Sequence, residues 1–223
     1  MEKILFSDFK LTEEEMIEVS NSFVYLFFKR IIDIILSLAG LVILLIPMCI
    51  VALMIKLEDP KGTIFFSQNR CGKNGRLFQM YKFRSMYVNA EELLNQLQDL
   101  NEMDGPVFKI KDDPRITKVG KFIRKTSLDE LPQLINVLKG EMSIVGPRPA
   151  LPREVELYND YQKQRLLVKP GITCIWQVSG RNNIGFEKWV EMDIEYIQKR
   201  NLIIDCILIL KTIPALFGDK NAS

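Results

Sequence analysis

Asp129 and Glu130 stand side by side ahead of a short apolar segment, and nineteen residues after Asp129 comes Arg148, held between Pro147 and Pro149. An ionised carboxylate can attack phosphorus directly, and a neighbouring carboxylate suits a hard divalent cation such as Mg2+, which takes oxygen ligands and bridges substrate phosphates. Arginine adds a planar fork for phosphate oxygens. The chain contains no histidine. Ser-His and Cys-His nucleophiles and a histidine general base are therefore excluded. Any catalysis here falls to carboxylates, cations and a metal.

The same spacing has a structural reading. Ser127-x-x-Glu130 fits a capping box, and an acidic residue in a first helical turn gains ~0.3–1 kcal/mol from the helix dipole. Pro132 is tolerated near that first turn and Gly140 supplies a stop, which predicts a helix over 132–139 with the acidic pair at its mouth. The dipole there, with nearby Arg124 and Lys125, is expected to keep Asp129 ionised. Gly-Pro-Arg-Pro taken alone reads equally well as a rigid loop with an exposed arginine.

These residues need elements to hold them. The stretch "TIFFSQNRCGKNGRLFQMYKFRSM" reads as a β-hairpin turning around Gly72 and Asn74-Gly75. Its cations Arg70, Lys73, Arg76, Lys82 and Arg84 form either a solvated or lipid-facing surface or a wall for a phosphate-bearing substrate. "NAEELLNQLQDL" predicts an amphipathic helix capped by Asn89, and Asp112-Asp113-Pro114 predicts a turn ahead of a basic helix carrying Lys118, Lys121, Arg124 and Lys125. Further helices are expected near 153–167 and 186–199. The closing "LIIDCILILKTIPALF" is too interrupted by Asp205, Lys211 and Pro214 to span a bilayer, and is expected to lie on its surface or pack on the core.

Ile34 to Ile55 is a run of 22 residues without a charge, and about 20 apolar residues suffice to cross the hydrocarbon core as a helix. The run is too long, starts too late and lacks the small-residue ending of a cleaved signal peptide. Pro47 inside it removes a backbone hydrogen bond, so a kink is expected. Length alone favours a kinked single span. Cations on both sides, Lys29 and Arg30 before it and Lys56 and Lys61 after it, favour a re-entrant helix-break-helix with both ends cytosolic. A membrane segment over 1–56 and a cytosolic catalytic domain over 57–223 follow as the expected division.

At 223 residues and 25.8 kDa the chain has room for one catalytic domain. Thirty Lys and Arg balance 28 Asp and Glu, leaving +2 and no global reason to expect nucleic acid. Four scattered cysteines make no C-x-x-C and are expected to be buried thiols in a reducing compartment. The predicted class is α+β, helix-rich with short strands, on an N-terminal proline-broken membrane helix.

The motifs "KRIIDIILS", "YKFRSM", "DDPRITKVGKFIRKTSLDELPQLINVLKGEMSIVGPRP", "VKPGITCIWQVSGR" and "MDIEYIQKRNLIIDCILILKT" occur in an order that resembles the bacterial sugar transferase family of monotopic polyprenyl-phosphate hexose-1-phosphate transferases, over about residues 27–215. The resemblance implies a phosphoglycosyl transferase on the cytosolic face of a bacterial plasma membrane, at the start of surface polysaccharide assembly. Asp129 matches the nucleophile that attacks the β-phosphate of a UDP-sugar, with UDP-glucose or UDP-galactose favoured, and releases UMP. Undecaprenyl phosphate is the implied acceptor. Glu130 matches the residue associated with Mg2+, Asp129 lies beside it in that metal site, and Arg148 matches a phosphate-binding residue. Lys82, Arg84, Arg115 and Arg124 are further phosphate-binding candidates, and Asp193 a supporting one. Pro47 matches the proline of the family's re-entrant break, although Ile46 stands where some members have serine. The rival readings are a membrane-anchored scaffold and a glycosyltransferase releasing UDP. A homodimer stays open.

Overall fold

The computed structural model describes residues 16–90, 92–93, 97, 101–102, 105–108, 110, 112–179 and 184–216. The chain opens with two apolar helices, α1 (Phe23–Ile43) and α2 (Leu45–Glu58), bent by 60°. The bend falls one turn ahead of Pro47, at the position where a proline leaves the carbonyl four residues back without its donor. The helical ladder stops with Leu44 N donating to Gly40 O at 2.9 Å and resumes with Met48 N donating to Leu44 O at 2.9 Å. No single helix among the described residues is long and apolar enough to cross a membrane. The bent pair together meets that criterion of length and composition. Phe23, Val42, Ile43, Ile46 and Leu57 are each more than 70% exposed in the isolated chain.

The two ends of this pair dock on the same body. From α1, Asp33 accepts from Ser143 Oγ at 3.0 Å and Ile144 N at 2.9 Å, and Arg30 donates to the carbonyls of Val137 and Leu138 at 2.6 and 2.8 Å. From the far end of α2, Glu58 accepts from the first amides of the next helix, Lys118 N at 2.8 Å and Val119 N at 3.1 Å. Val51 and Ile55 meanwhile bury themselves against Phe83 and Ile123.

The remainder is mixed helix and strand. β1 (Phe65–Cys71) and β2 (Leu77–Phe83) pair antiparallel, Phe65 opposite Phe83 and Cys71 opposite Leu77. Asn74 and Gly75, at φ 56° and 70°, make the left-handed turn that Asn-Gly favours. Then come α3 (Lys118–Lys125), α4 (Gln133–Lys139), β3 (Ser143–Val145), α5 (Pro152–Val155), α6 (Asp160–Lys163), β4 (Gly171–Thr173), α7 (Phe186–Lys199) and α8 (Leu202–Leu216). β3 and β4 form a parallel pair, Ser143 with Gly171 and Val145 with Thr173. The core joins Cys71, Tyr158, Leu166, Trp176, Phe186 and Trp189, with the two indoles stacked at 4.2 Å.

Several expectations change in detail. The helix near 153–167 is broken into α5, α6 and a 3-10 turn over Gln164–Leu167, because Asn159 and Gln162 cap a fresh start through reciprocal hydrogen bonds. The final helix runs unbroken from Leu202 because Asp205 is neutralised inside the protein, accepting from Lys29 at 2.7 Å, Tyr25 at 3.0 Å and Tyr196 at 2.7 Å. Cys71 and Cys174 are buried, whereas Cys49 and Cys206 are exposed on the apolar helices. The helix expected over 89–100 falls largely outside the described residues.

Candidate active site

The Asp-Glu pair lies on a 3-10 turn, Leu128–Glu130, that runs through Pro132 into α4. Gly140 ends α4 at φ 79° as expected. The capping box does not form. Ser127 adopts a left-handed conformation, φ 55°, and makes no side-chain cap, while Glu130 turns instead towards the hairpin. Tertiary ion pairing outweighs the local motif, and the Glu130 carboxylate becomes part of the site.

Lys82 of β2 is the nearest cation, its Nζ 2.8 Å from Glu130 Oε1 and 3.9 Å from Asp129 Oδ2. Asn136 of α4 holds that strand in place, accepting from Tyr81 N at 3.0 Å and donating to Gln79 O at 2.7 Å. Arg148 Nη1 closes the other side at 3.4 Å from Glu130 Oε1, with its side chain still 36% exposed. Its loop is tied down at both flanks: Gly171 N donates to Pro147 O at 2.9 Å, and Cys71 N donates to Ala150 O at 2.9 Å. Gly146 and Gly171 permit this closeness, since a Cβ on either would strike the other strand's backbone.

Burial dominates the electrostatics of Asp129. It pushes the carboxyl up to about 6 against the pull of Lys82, and the charge of Glu130 adds to the rise while Arg124 and Arg148 oppose it. Burial acts on Glu130 in the same direction, but Lys82 and Arg148 outweigh it and hold this carboxyl down at about 2. Arg124 pulls on Asp129 in the expected direction, but burial outweighs it, because the nearest cations serve Glu130 first. A carboxyl at about 6 is still about nine-tenths ionised at pH 7. It is a buried, under-compensated anion beside two cations.

The structure brings together Asp129, Glu130, Lys82 and Arg148, with Arg124 acting on Asp129 electrostatically. Three other candidates lie in structural pairs. Arg84 Nη1 bonds Asp59 at 2.9 Å and links the end of α2 to the hairpin. Arg115 closes on its near neighbour Asp113 with contacts of 2.9 and 2.6 Å, buried. Asp193 is fully paired with Arg165 at 2.7 and 2.6 Å. Arg165, which sequence reasoning passed over, donates also to Tyr158 at 3.0 Å and lines a recess beneath the Pro-Arg-Pro loop with Arg148 and Pro149. Asp193 thus holds a residue that lines this recess. Arg70 was likewise passed over as one cation among five on the hairpin.

No cluster of three or more carboxylate, cysteine or histidine ligands occurs among the described residues. Two adjacent carboxylates are nonetheless a fitting donor set for Mg2+, which keeps waters and fills its remaining positions with substrate phosphates. The Lys82 ammonium, bonded to Glu130 and near Asp129, shows that a cation is accommodated there.

Residues 24–219 match the family of bacterial sugar transferases. The chain is 50% identical over 193 residues to the galactosyl transferase CpsE of Streptococcus agalactiae, covering 86% of this chain and 42% of CpsE. It is 41% identical over 192 residues to the exopolysaccharide production protein ExoY of Sinorhizobium fredii, covering 84% of each. It is 43% identical over 194 residues to the undecaprenyl-phosphate galactose phosphotransferase of Salmonella typhimurium, of which it spans 40%. This chain belongs to the bacterial sugar transferase family.

Proposed function

We propose that the protein transfers hexose 1-phosphate from a UDP-sugar, glucose or galactose, to undecaprenyl phosphate and releases UMP. The observation that carries this reading is the buried Asp129 carboxylate, with Lys82 at 3.9 Å, Arg148 on the adjacent Glu130 and no histidine in the chain.

An Asp129 oxygen attacks the β-phosphorus, forming an aspartyl-phosphate ester with the sugar still attached. The bond from that phosphorus to the bridging oxygen breaks, and UMP departs with the oxygen. A phosphate oxygen of the lipid then attacks the same phosphorus, releases the Asp129 carboxylate and leaves the sugar on a polyprenyl diphosphate. Neither step needs a general base, because nucleophile, leaving group and acceptor are all anions. The protein's part is positioning and charge neutralisation. Lys82 and Arg148 hold oxygens of the transferred phosphate, and Arg124 lowers the cost of the Asp129 charge. Mg2+ would be held by Glu130 with Asp129 and would supply electrostatic neutralisation of the diphosphate.

The bent α1–α2 pair supports a re-entrant membrane anchor at the cytosolic face. Asp33 near one end and Glu58 at the other both bond the same catalytic body, which a straight span would place on opposite sides of the bilayer. Such an anchor brings the site to the lipid phosphate.

Identifying the nucleotide released from a UDP-hexose tests the function. UMP, formed in a Mg2+-dependent reaction with undecaprenyl phosphate, supports it. UDP would assign an ordinary glycosyltransferase, and no release at all would leave a scaffold.

A further inference from the structure

Arg70 is a partly buried hairpin cation with no carboxylate partner among the described residues. It sits near the end of β1, next to Cys71, which bridges to Ala150. Nη1 donates to Pro149 O at 3.0 Å and Nη2 to Gln68 Oε1 at 3.0 Å, both neutral acceptors. Its Nε is buried without a hydrogen-bond partner. The guanidinium lines the same cleft as Glu130, Gln133, Arg148 and Gly171. A second guanidinium, Arg148, thus borders the same recess one residue away from the carbonyl that Arg70 grips.

Placing two arginines around one cleft without an acid for the first is unfavourable in the free protein. Burial, followed by repulsion from Arg148, drags the Arg70 guanidinium down to about 10. An arriving anion relieves both costs, and a fork with an unused donor is shaped to receive one. Arg148 touches Glu130, beside the nucleophile, so the phosphate under attack falls to Arg148. Lys82 stands 3.9 Å from Asp129 and Arg148 3.4 Å from Glu130, whereas Arg70 makes no ion pair with either carboxylate among the described residues and bonds Pro149 O and Gln68 instead. Arg70 therefore faces the phosphate one position further from the nucleophile.

We propose that Arg70 binds the donor phosphate that leaves with the nucleoside, opposite Arg148, which binds the phosphate that is transferred. The assignment rests on the hexose-phosphate transfer reading above, and the two separate cleanly in the test. Wild type, Arg70→Gln and Arg70→Lys are compared for UMP binding by calorimetry, for donor KM, and for discharge of a preformed sugar-phosphate adduct to undecaprenyl phosphate.

Loss of a charge-assisted contact is expected to weaken UMP binding and raise donor KM about ten- to hundredfold in Arg70→Gln. Arg70→Lys, which keeps charge without the fork, is expected to fall between. Discharge should proceed at the wild-type rate in both, because the leaving phosphate is already gone. A merely structural Arg70 would slow discharge as well. UMP affinity within twofold of wild type in Arg70→Gln, or discharge slowed in parallel with donor use, overturns the assignment. Release of UDP by the wild type would instead overturn the transfer reading, and calorimetric UMP binding still scores Arg70 independently of turnover.

Discussion

The Lys82 ammonium bonds Glu130 at 2.8 Å yet stands 3.9 Å from Asp129, so of two adjacent carboxylates one is neutralised and the other is left short of charge. That asymmetry separates their roles: the compensated Glu130 is suited to hold cations, the uncompensated Asp129 to attack.

Lys82 and Arg84 lie two residues apart on β2 and offer a direct contrast. Lys82→Ala is expected to lower kcat about 10²–10³-fold, the range for loss of a preorganised charge-stabilising donor, and also to lower the unfolding temperature, because it strips the buried Glu130 carboxylate of its 2.8 Å partner. Arg84→Ala removes the partner of Asp59 and is expected to cost about 1–3 kcal/mol of stability while leaving donor KM nearly unchanged. Steady-state kinetics paired with thermal unfolding of both variants checks this; equal losses of kcat in the two would count against it.

Asp129→Asn should be more stable than wild type at neutral pH although inactive. Burial raises the folded-state carboxyl to about 6, above its unfolded value, so the proton is held more tightly in the fold. The stability this provides is complete below the unfolded pKa and is lost as pH rises towards and through about 6. Above that, the ionised side chain is a burden on the order of 1–3 kcal/mol that Asn removes. Unfolding at pH 8 and pH 4 tests the sign: the variant's advantage should appear at pH 8 and vanish at pH 4. A less stable variant at pH 8 refutes it.

A cation at the Asp-Glu pair competes with the proton on Asp129. The acid limb of kcat/KM is accordingly expected near or below about 6, moving to lower pH as Mg2+ is raised. A limb indifferent to Mg2+ would place the metal elsewhere.

Single cysteines at Ser22 and Lys61, ahead of α1 and beyond α2, probe the anchor in a background with exposed Cys49 and Cys206 replaced by serine. Both positions are exposed. In sealed vesicles of known orientation they should react with an impermeant thiol reagent from the same side. Reaction from opposite sides would establish a single span.

Much of this was legible in the residues. The hairpin turn at Asn74-Gly75, the stop at Gly140, the kink expected from Pro47 and the basic helix after Asp112-Asp113-Pro114 are local consequences of backbone preference, and each appears. The meeting of Asp129 with Arg148 came from family resemblance, since spacing cannot fold a loop onto a helix. What stayed hidden depends on partners distant in sequence. Ser127 reads as a cap until Lys82, 48 residues from Glu130, takes the carboxylate. Arg84, Arg115 and Arg70 look alike as cations; only Asp59, Asp113 and, for Arg70, two neutral acceptors with no acid among the described residues tell them apart. Asp205 argues against a span, and only the structure shows that Lys29 and two tyrosines surround it.

The central claim is that Asp129 carries the sugar phosphate. Intact-protein mass spectrometry of enzyme mixed with UDP-hexose and Mg2+, without lipid acceptor, addresses it most directly. The wild type should gain the mass of one hexose phosphate, lose it on addition of undecaprenyl phosphate, and show no adduct as Asp129→Asn. An adduct of equal yield in Asp129→Asn, or full turnover by the wild type with no adduct at any time, would contradict the account.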